Sequence, residues 1–206
     1  MHIPPGLIFS DGGGLDVFWN STCLKSFMSL LNTYQDRISM ILGAHVHTFE
    51  IRSPLSSSFP NVSVPLLMSP SISPLHENNP GYSVMDFGVK ANGSLAMKHE
   101  MRFFQLNDYT VFHDIEFITT DIQEKFHVSF LSSDSIRGLE NRLSENMNLY
   151  ERFQVLRMGF PEESMSFDYL NNETIYVSEN APLYLCSMRH YEVEAYNSCI
   201  AEAKIE

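Results

Sequence analysis

Short apolar runs bounded by turn-forming residues fill the first half of the chain. Strands are predicted over residues 38–43, 48–53, 64–69, 82–89 and 95–106, with a turn at Asn92-Gly93 before the last. The first of these strands is expected to be buried, and the last is expected to lead out of the sheet. The longest apolar stretches, such as residues 64–68, are only a few residues long. A membrane-spanning helix needs about 20 apolar residues. The chain is therefore expected to build a sheet of short strands and to lack a transmembrane segment.

Helical spacing replaces this pattern in the second half of the chain. A helix capped by Ser133 or Asp134 and a second one capped by Ser144 are predicted, the latter ending at Gly159 and Pro161. Their apolar positions are Ile136, Leu139 and Leu143 in the first helix, and Leu149, Phe153 and Leu156 in the second. Residues 1–106 and 107–206 are accordingly expected to form two regions, the second of them mostly helical.

One amphipathic helix is also predicted in the first half. Its apolar face is expected to contain residues spaced by three or four, with N-caps among residues 20–22. These face residues are Cys23, Phe27, Leu30, Tyr34 and Ile38. Together with the strands, this helix gives a mixed α/β (α+β) fold class for the chain.

Charge is distributed unevenly along the 206 residues. The net charge is −12, and about −11 of it falls in residues 107–206. No stretch is basic enough to neutralise a run of phosphates. Nucleic-acid binding through a basic face is therefore excluded.

Several features are typical of a secreted chain. Four Asn-x-Ser/Thr sequons mark candidate glycosylation sites, at Asn20, Asn61, Asn92 and Asn172. Cys186 and Cys199 lie close together in sequence and would form a disulfide in an oxidising compartment, the alternative being two free thiols, while Cys23 has no evident partner. Residues 1–6 do not resemble a signal peptide. We therefore expect a secreted or lysosomal protein whose N-terminal part lies outside this sequence.

A histidine pair follows the first predicted strand. His45 and His47 can direct two imidazoles into one small volume, and neutral imidazole is a common metal ligand. His2 precedes two prolines that stiffen the backbone beside it. The remaining histidines lack ligand spacing and are interpreted as surface or core residues: His76, His99, His113, His127 and His190.

These motifs together resemble acid sphingomyelinase-like phosphodiesterases, a branch of the calcineurin-like metallophosphoesterases. The matching pieces are His-Ile-Pro-Pro-Gly at residues 2–6, Gly-Ala-His-Val-His at 43–47, the Ser/Pro block with Asn-Asn-Pro-Gly-Tyr at 69–82, and Met-Asn-Leu-Tyr-Glu-Arg-Phe at 147–153. The closing Cys186 to Cys199 segment also matches. The resemblance covers nearly the whole chain and corresponds to the C-terminal half of the family.

The resemblance implies a fold, a metal centre and a substrate class. Residues 1–106 would be the second half of a metallophosphoesterase β-sandwich flanked by helices, and 107–206 the family's helical C-terminal extension. His2 and His45 would bind one ion of a two-zinc centre and His47 the other. Ala44 departs from the family's usual glycine. The substrate would be sphingomyelin or a related phosphodiester, and the protein would be able to contact a membrane peripherally.

Part of the family's machinery is missing from this sequence. The motifs Asp-x-His, Gly-Asp and Gly-Asn-His, which the resemblance associates with the bridging aspartate, further ligands and a general acid, do not occur. A two-metal centre needs a bridging carboxylate to hold both cations. The chain alone is therefore expected to be inactive, and no catalytic residue is assigned within it. A nucleotide or other small-phosphodiester hydrolase and a non-catalytic truncated module remain alternatives.

Overall fold

A computed structural model describes residues 1–9, 14–53, 55–75, 78–104, 117–161 and 180–203. Within these ranges, eight short strands form three separate sheets, and five of the six α-helices follow residue 121. The strands are β1 (Leu7–Phe9), β2 (Leu15–Val17), β3 (Ile41–Gly43), β4 (Glu50–Arg52), β5 (Leu66–Met68), β6 (Gly81–Val89), β7 (Leu95–Phe103) and β8 (Ile118–Thr120). The helices are α1 (Ser21–Tyr34), α2 (Ile122–Phe126), α3 (Ser133–Glu145), α4 (Met147–Arg157), α5 (Ala181–Arg189) and α6 (Val193–Ala203), and a 3₁₀ turn, Gln35–Arg37, follows α1. The predicted mixed α/β class is confirmed.

The sheet that leads to the histidine pair has the order β3-β5-β4. β3 runs parallel to β5, and β4 runs antiparallel to it. All three residues of β5 are buried, because β5 is the central strand. β3 lies at the edge, and its Leu42 is 43% exposed. The prediction that this first strand is buried is therefore correct for one face only.

A long hairpin forms most of the third sheet. Every residue of β6 pairs with β7, and Gly93, at φ 82°, lies in the predicted turn between them. The prediction that residues 95–106 lead out of the sheet is wrong, because β7 also pairs with β8 and is the middle strand. The two faces of β7 differ: Met101 and Phe103 are buried, while charged side chains occupy the opposite face.

Helix α1 begins where the sequence predicts but buries a different face. The Asn20 side chain accepts a hydrogen bond from the Cys23 N–H at 2.9 Å, which confirms the cap. The buried residues are Leu24, Met28 and Leu31. Of the predicted face, Phe27 and Ile38 are partly buried, and Cys23, Leu30 and Tyr34 are exposed. Two apolar stripes lie side by side on this helix, and packing against Ile41, Val62 and Val64 selects the one that contains Leu24.

The caps of α3 and α4 lie one or two residues from the predicted positions. Ser132 caps α3, because its hydroxyl accepts a hydrogen bond from the Ser135 N–H at 3.2 Å. Asn146 caps α4 in the same way, through the Leu149 N–H at 3.1 Å. Ser144 lies inside α3 and donates to a carbonyl of that helix. The predictions of Ser133 or Asp134 and of Ser144 as caps are therefore wrong, although both helices exist.

One hydrophobic cluster joins the sheets to the C-terminal helices. Side chains of β4, β5 and β7 pack in it together with side chains of α2 to α5. Its largest members with almost no exposure are Phe49, Phe103, Phe126, Phe130, Tyr150, Phe153 and Tyr184. Residues 105–116, which include the predicted boundary between the two regions, lie outside the described ranges. Among the helices described, none combines the length and apolar character that crossing a membrane requires.

Candidate metal centre

The chain reverses after β3 through a turn with unusual backbone angles. His45 has φ 82° and His47 has φ 63°, so both adopt the left-handed conformation that usually requires glycine. The left-handed helical conformation costs an L-residue about 1–2 kcal/mol. Strain of this kind is often found at functional sites, where neighbouring contacts hold it in place. The turn therefore places both histidines at the carboxyl end of β3.

The N-terminal segment brings His2 to this turn. The N-terminal amine donates a hydrogen bond to the Leu42 carbonyl at 2.8 Å, and the Ala44 N–H donates to the His2 carbonyl at 3.0 Å. Residues 1–3 therefore run beside β3. Gly6, at φ 102°, then lets the chain pass close to Tyr191.

His2 and His45 meet across a separation of 43 residues. His45 Nδ1 lies 3.3 Å from His2 Nε2, and the ring centroids are 5.1 Å apart in an edge-to-face arrangement. The Phe18 ring contacts His45 on another side, at a centroid distance of 5.4 Å. The structure thus joins two of the three predicted ligands.

The separation of these two nitrogens fits a zinc ion. With Zn–N bonds of about 2.0–2.1 Å and tetrahedral angles, two ligand nitrogens lie about 3.3–3.4 Å apart. The same separation also suits a hydrogen bond from one neutral imidazole to the other. Among the described residues, no group of three or more His, Cys, Asp and Glu side chains is arranged to hold a metal ion. His2 and His45 therefore fit two ligand positions, and the assignment of His47 stays a prediction.

A buried network of charged side chains is centred on β4, the strand that follows the histidine turn. The sequence patterns do not predict this network. Glu50 accepts hydrogen bonds from Arg52 at 2.9 and 3.1 Å, from Arg157 at 2.6 Å and from the Tyr184 hydroxyl at 3.1 Å. Arg52, Glu50 and Arg157 are each at most 3% exposed. The Arg157 guanidinium also lies over the Tyr184 ring, 4.7 Å from its centroid. Two guanidinium groups therefore share one carboxylate inside the protein.

This network ties β4 to three other elements. Arg52 donates to the Leu7 carbonyl of β1 and, at 3.5 Å, to the Ser187 carbonyl of α5. Arg157 lies at the end of α4 and donates to the Thr48 hydroxyl at 2.6 Å. The sequence signal for the network is the presence of Glu50 and Arg52 within a predicted strand, two residues apart and therefore on one face.

The predicted disulfide is confirmed. Cys186 and Cys199 are bonded, with Cα atoms 5.8 Å apart, so the bond joins α5 to α6. Leu7 of β1 and Tyr196 pack around Cys186. Cys23 is an exposed free thiol. The disulfide therefore links the two helices against which β1 packs.

Three of the four sequons lie on exposed backbone. Asn20, Asn61 and Asn92 are all exposed, and Asn172 lies outside the described residues. Asn20 uses Oδ1 to cap α1, whereas a glycan would be attached to Nδ2. Occupancy of these sites stays a prediction.

The other histidines occupy surface and core positions. His99 is buried, and this burial lowers its pKa to about 4 despite the nearby carboxylates of Asp121 and Glu100. His127 ends α2 in the left-handed conformation, and His190 forms an isolated bridge with Leu55. His76 and His113 lie outside the described ranges.

Comparison of the chain with protein-family models and with curated proteins finds no match. A function for the chain therefore has to be argued from the geometry of the histidine turn and from the sequence motifs.

Proposed function

We propose that this chain is the C-terminal portion of a zinc-dependent phosphodiesterase that hydrolyses sphingomyelin or a related phosphodiester. The observation that carries the proposal is the 3.3 Å approach of His45 Nδ1 to His2 Nε2. The two residues are far apart in sequence, and their nitrogens have the spacing of two ligands on one tetrahedral zinc ion. The motifs at residues 2–6 and 43–47 that resemble the sphingomyelinase-like family meet at this contact.

The role of this chain in such an enzyme is to hold metal ligands in fixed positions. Zinc ions, when bound, activate water and stabilise the negative charge that develops on phosphoryl oxygens. His2 is held by the pairing of residues 1–3 with β3, and His45 by the left-handed turn. His47 would serve the second ion. We infer that the remaining ligands belong to a preceding part of the protein.

Secretion or lysosomal targeting agrees with this function. A disulfide joins α5 and α6, and three sequons lie on exposed residues. Disulfides persist mainly in oxidising compartments.

Zinc binding by site variants tests the proposal. The full chain, secreted so that the disulfide forms, is titrated with zinc in competition with a chromogenic chelator. His45→Asn removes the imidazole while keeping a residue that tolerates a left-handed backbone. His127→Asn is the matched control, because His127 also has a positive φ, of 48°, but caps α2 instead.

We expect one zinc ion per chain, lost in His45→Asn and in His2→Asn and retained in His127→Asn. Equal zinc binding by all of these variants would contradict the proposal.

Genomic DNA upstream of the coding sequence provides a second test. A reading frame that encodes Asp-x-His and Gly-Asn-His motifs supports the enzyme, and its absence supports the alternative of a non-catalytic module.

A further inference from the structure

One residue of α4 binds the segment that directly follows His47. The Arg157 side chain donates a hydrogen bond to the Thr48 hydroxyl at 2.6 Å. The Arg157 carbonyl accepts the Phe49 N–H at 3.0 Å. Arg157 and Thr48 are 3% and 5% exposed, respectively, so water competes little for these contacts.

Arg157 is itself held from two other sides. Its Nη1 also donates to Glu50 Oε1 at 2.6 Å, and its Nε donates to Gln154 Oε1 at 2.5 Å. A planar guanidinium can reach these acceptors at once because its donors form a rigid fork. A lysine at this position has a single nitrogen and cannot bridge Gln154, Thr48 and Glu50 together. The orientation of Arg157 is therefore fixed by α4 and β4.

The backbone of His47 needs such a fixed neighbour. Its φ of 63° is unfavourable for a residue with a Cβ atom, and it persists only if contacts on both sides hold it. On the loop side, the His47 carbonyl accepts the Ser71 N–H at 3.0 Å. On the helix side, Arg157 anchors Thr48 and Phe49.

We propose that Arg157 is a positioning residue for His47, acting through the hydroxyl of Thr48. The assignment rests on the proposed function, in which His47 is a metal ligand. Arg157 keeps the left-handed turn in place and thereby directs the His47 imidazole toward its ion. Groups that orient a ligand in this way commonly alter metal affinity by about 10- to 100-fold when removed.

A set of three matched variants separates positioning from general stability. Thr48→Val removes the acceptor of Arg157 but retains the side-chain shape, and Thr48→Ser restores the hydroxyl. Tyr184→Phe removes a different hydrogen bond of the same network, the one from its hydroxyl to Glu50, and leaves Thr48 intact. Arg157→Lys serves as a second perturbation if Thr48→Val does not fold.

The readout is the nuclear magnetic resonance signal of the His47 ring in zinc-free protein labelled with ¹³C-histidine. In the wild type, Thr48→Ser and Tyr184→Phe, we expect one sharp His47 signal. In Thr48→Val and Arg157→Lys, we expect a broadened or doubled signal.

The outcomes distinguish this inference from the proposed function. The zinc titrations of the His45 and His2 variants test the proposed function, and the zinc-free line shapes of His47 decide the role of Arg157 separately. If Thr48→Val and Tyr184→Phe give the same His47 signal, Arg157 has a structural role only, and the inference is overturned.

Discussion

A carboxyl group buried in helix α3 should make the stability of this protein depend on pH. Glu140 is 1% exposed, and this burial raises its pKa from an ordinary value of 4.5 to about 7. Nearby positive charges lower the pKa of Glu140, but their effect is smaller than that of burial. The strongest of them is Arg189, whose Nε lies 3.7 Å from Glu140 Oε2, and Arg137 and Arg52 contribute less. The Ser53 backbone N–H also favours the charged form. The folded protein therefore retains a proton on Glu140 up to neutral pH.

A buried histidine produces the opposite dependence. The His99 ring packs against those of Phe49 and Phe130, with centroid distances of 5.1 and 5.2 Å. Its Nε2 is 3.0 Å from the Ser83 hydroxyl. Burial is the main cause that lowers its pKa from 6.5 to about 4. The folded protein therefore favours the neutral imidazole.

The signs and magnitudes of both effects are set by proton linkage. The stabilisation due to Glu140 is fully present below pH 4.5 and is lost as the pH rises through 7. The stabilisation due to His99 is present above pH 6.5 and is lost as the pH falls through 4. For each group, the difference between the folded and unfolded pKa values corresponds to about 3 kcal/mol in the free energy of unfolding. Between pH 4.5 and 6.5 the two effects should therefore nearly cancel in the wild type.

Glu140→Gln should reveal the pH dependence of stability that the opposing effects of Glu140 and His99 mask in the wild type. The free energy of unfolding is measured by urea denaturation from pH 4 to pH 7.5, and the wild-type value is subtracted at each pH so that all other groups cancel. We expect the difference to rise by about 3 kcal/mol between pH 4.5 and pH 7, because glutamine remains neutral throughout. For His99→Phe, the difference should instead rise by about 3 kcal/mol as the pH falls from 6.5 to 4.

A matched control lies on the same helix. Glu145 is exposed, so Glu145→Gln should give a difference that stays flat across this pH range. The reasoning is refuted if the Glu140→Gln difference is equally flat, or if it falls as the pH rises. Either result would mean that Glu140 is ionised in the folded protein and compensated by Arg189.

The other predictions concern activity, the disulfide and one glycine. The purified chain should hydrolyse neither sphingomyelin nor a chromogenic phosphodiester at a measurable rate with added zinc, and zinc-dependent turnover that is abolished by His47→Ala would contradict this. Cys186→Ser should lower the free energy of unfolding by about 3 kcal/mol in urea denaturation, because the disulfide closes a loop with a sequence separation of 13, whereas Cys23→Ser should leave it unchanged. Gly6→Ala should lower the melting temperature and cost about 2 kcal/mol, since its φ is 102° and a Cβ would lie 2.9 Å from Tyr191 Cδ1. An unchanged melting temperature would contradict this, because the positive φ strains alanine even if Tyr191 moves aside.

Local patterns were sufficient to predict most elements. Asn20 caps α1 as expected, because an Asn side chain satisfies a free N–H within its own turn. Asn92-Gly93 forms the turn between β6 and β7, because Gly93 adopts a positive φ without strain. Such interactions involve only residues a few positions apart, so the sequence contains all the information they need.

Tertiary contacts decided the features that the sequence left open. The choice between the Leu24 stripe and the Cys23 stripe of α1 depends on residues that come much later in the chain. The shared carboxylate of Glu50 depends on Arg157, which is 107 residues away. A charged residue in a strand normally indicates exposure, and only the arrival of a distant partner makes its burial favourable. The metal roles of the histidines also depend on side chains that are distant in sequence, so local patterns do not determine them.

The two sides of the candidate site lie on the C-terminal helices. Residues 1–6, which contain His2, lead into β1, whose Leu7 packs near Cys186 of α5 and whose carbonyl binds Arg52. The histidine turn is anchored at its other end by Arg157 of α4. Since each side of the site is held by a C-terminal helix as well as by β3 or β4, the approach of His2 to His45 requires these helices to be folded. Any metal affinity of this chain should therefore be lost together with the helical structure.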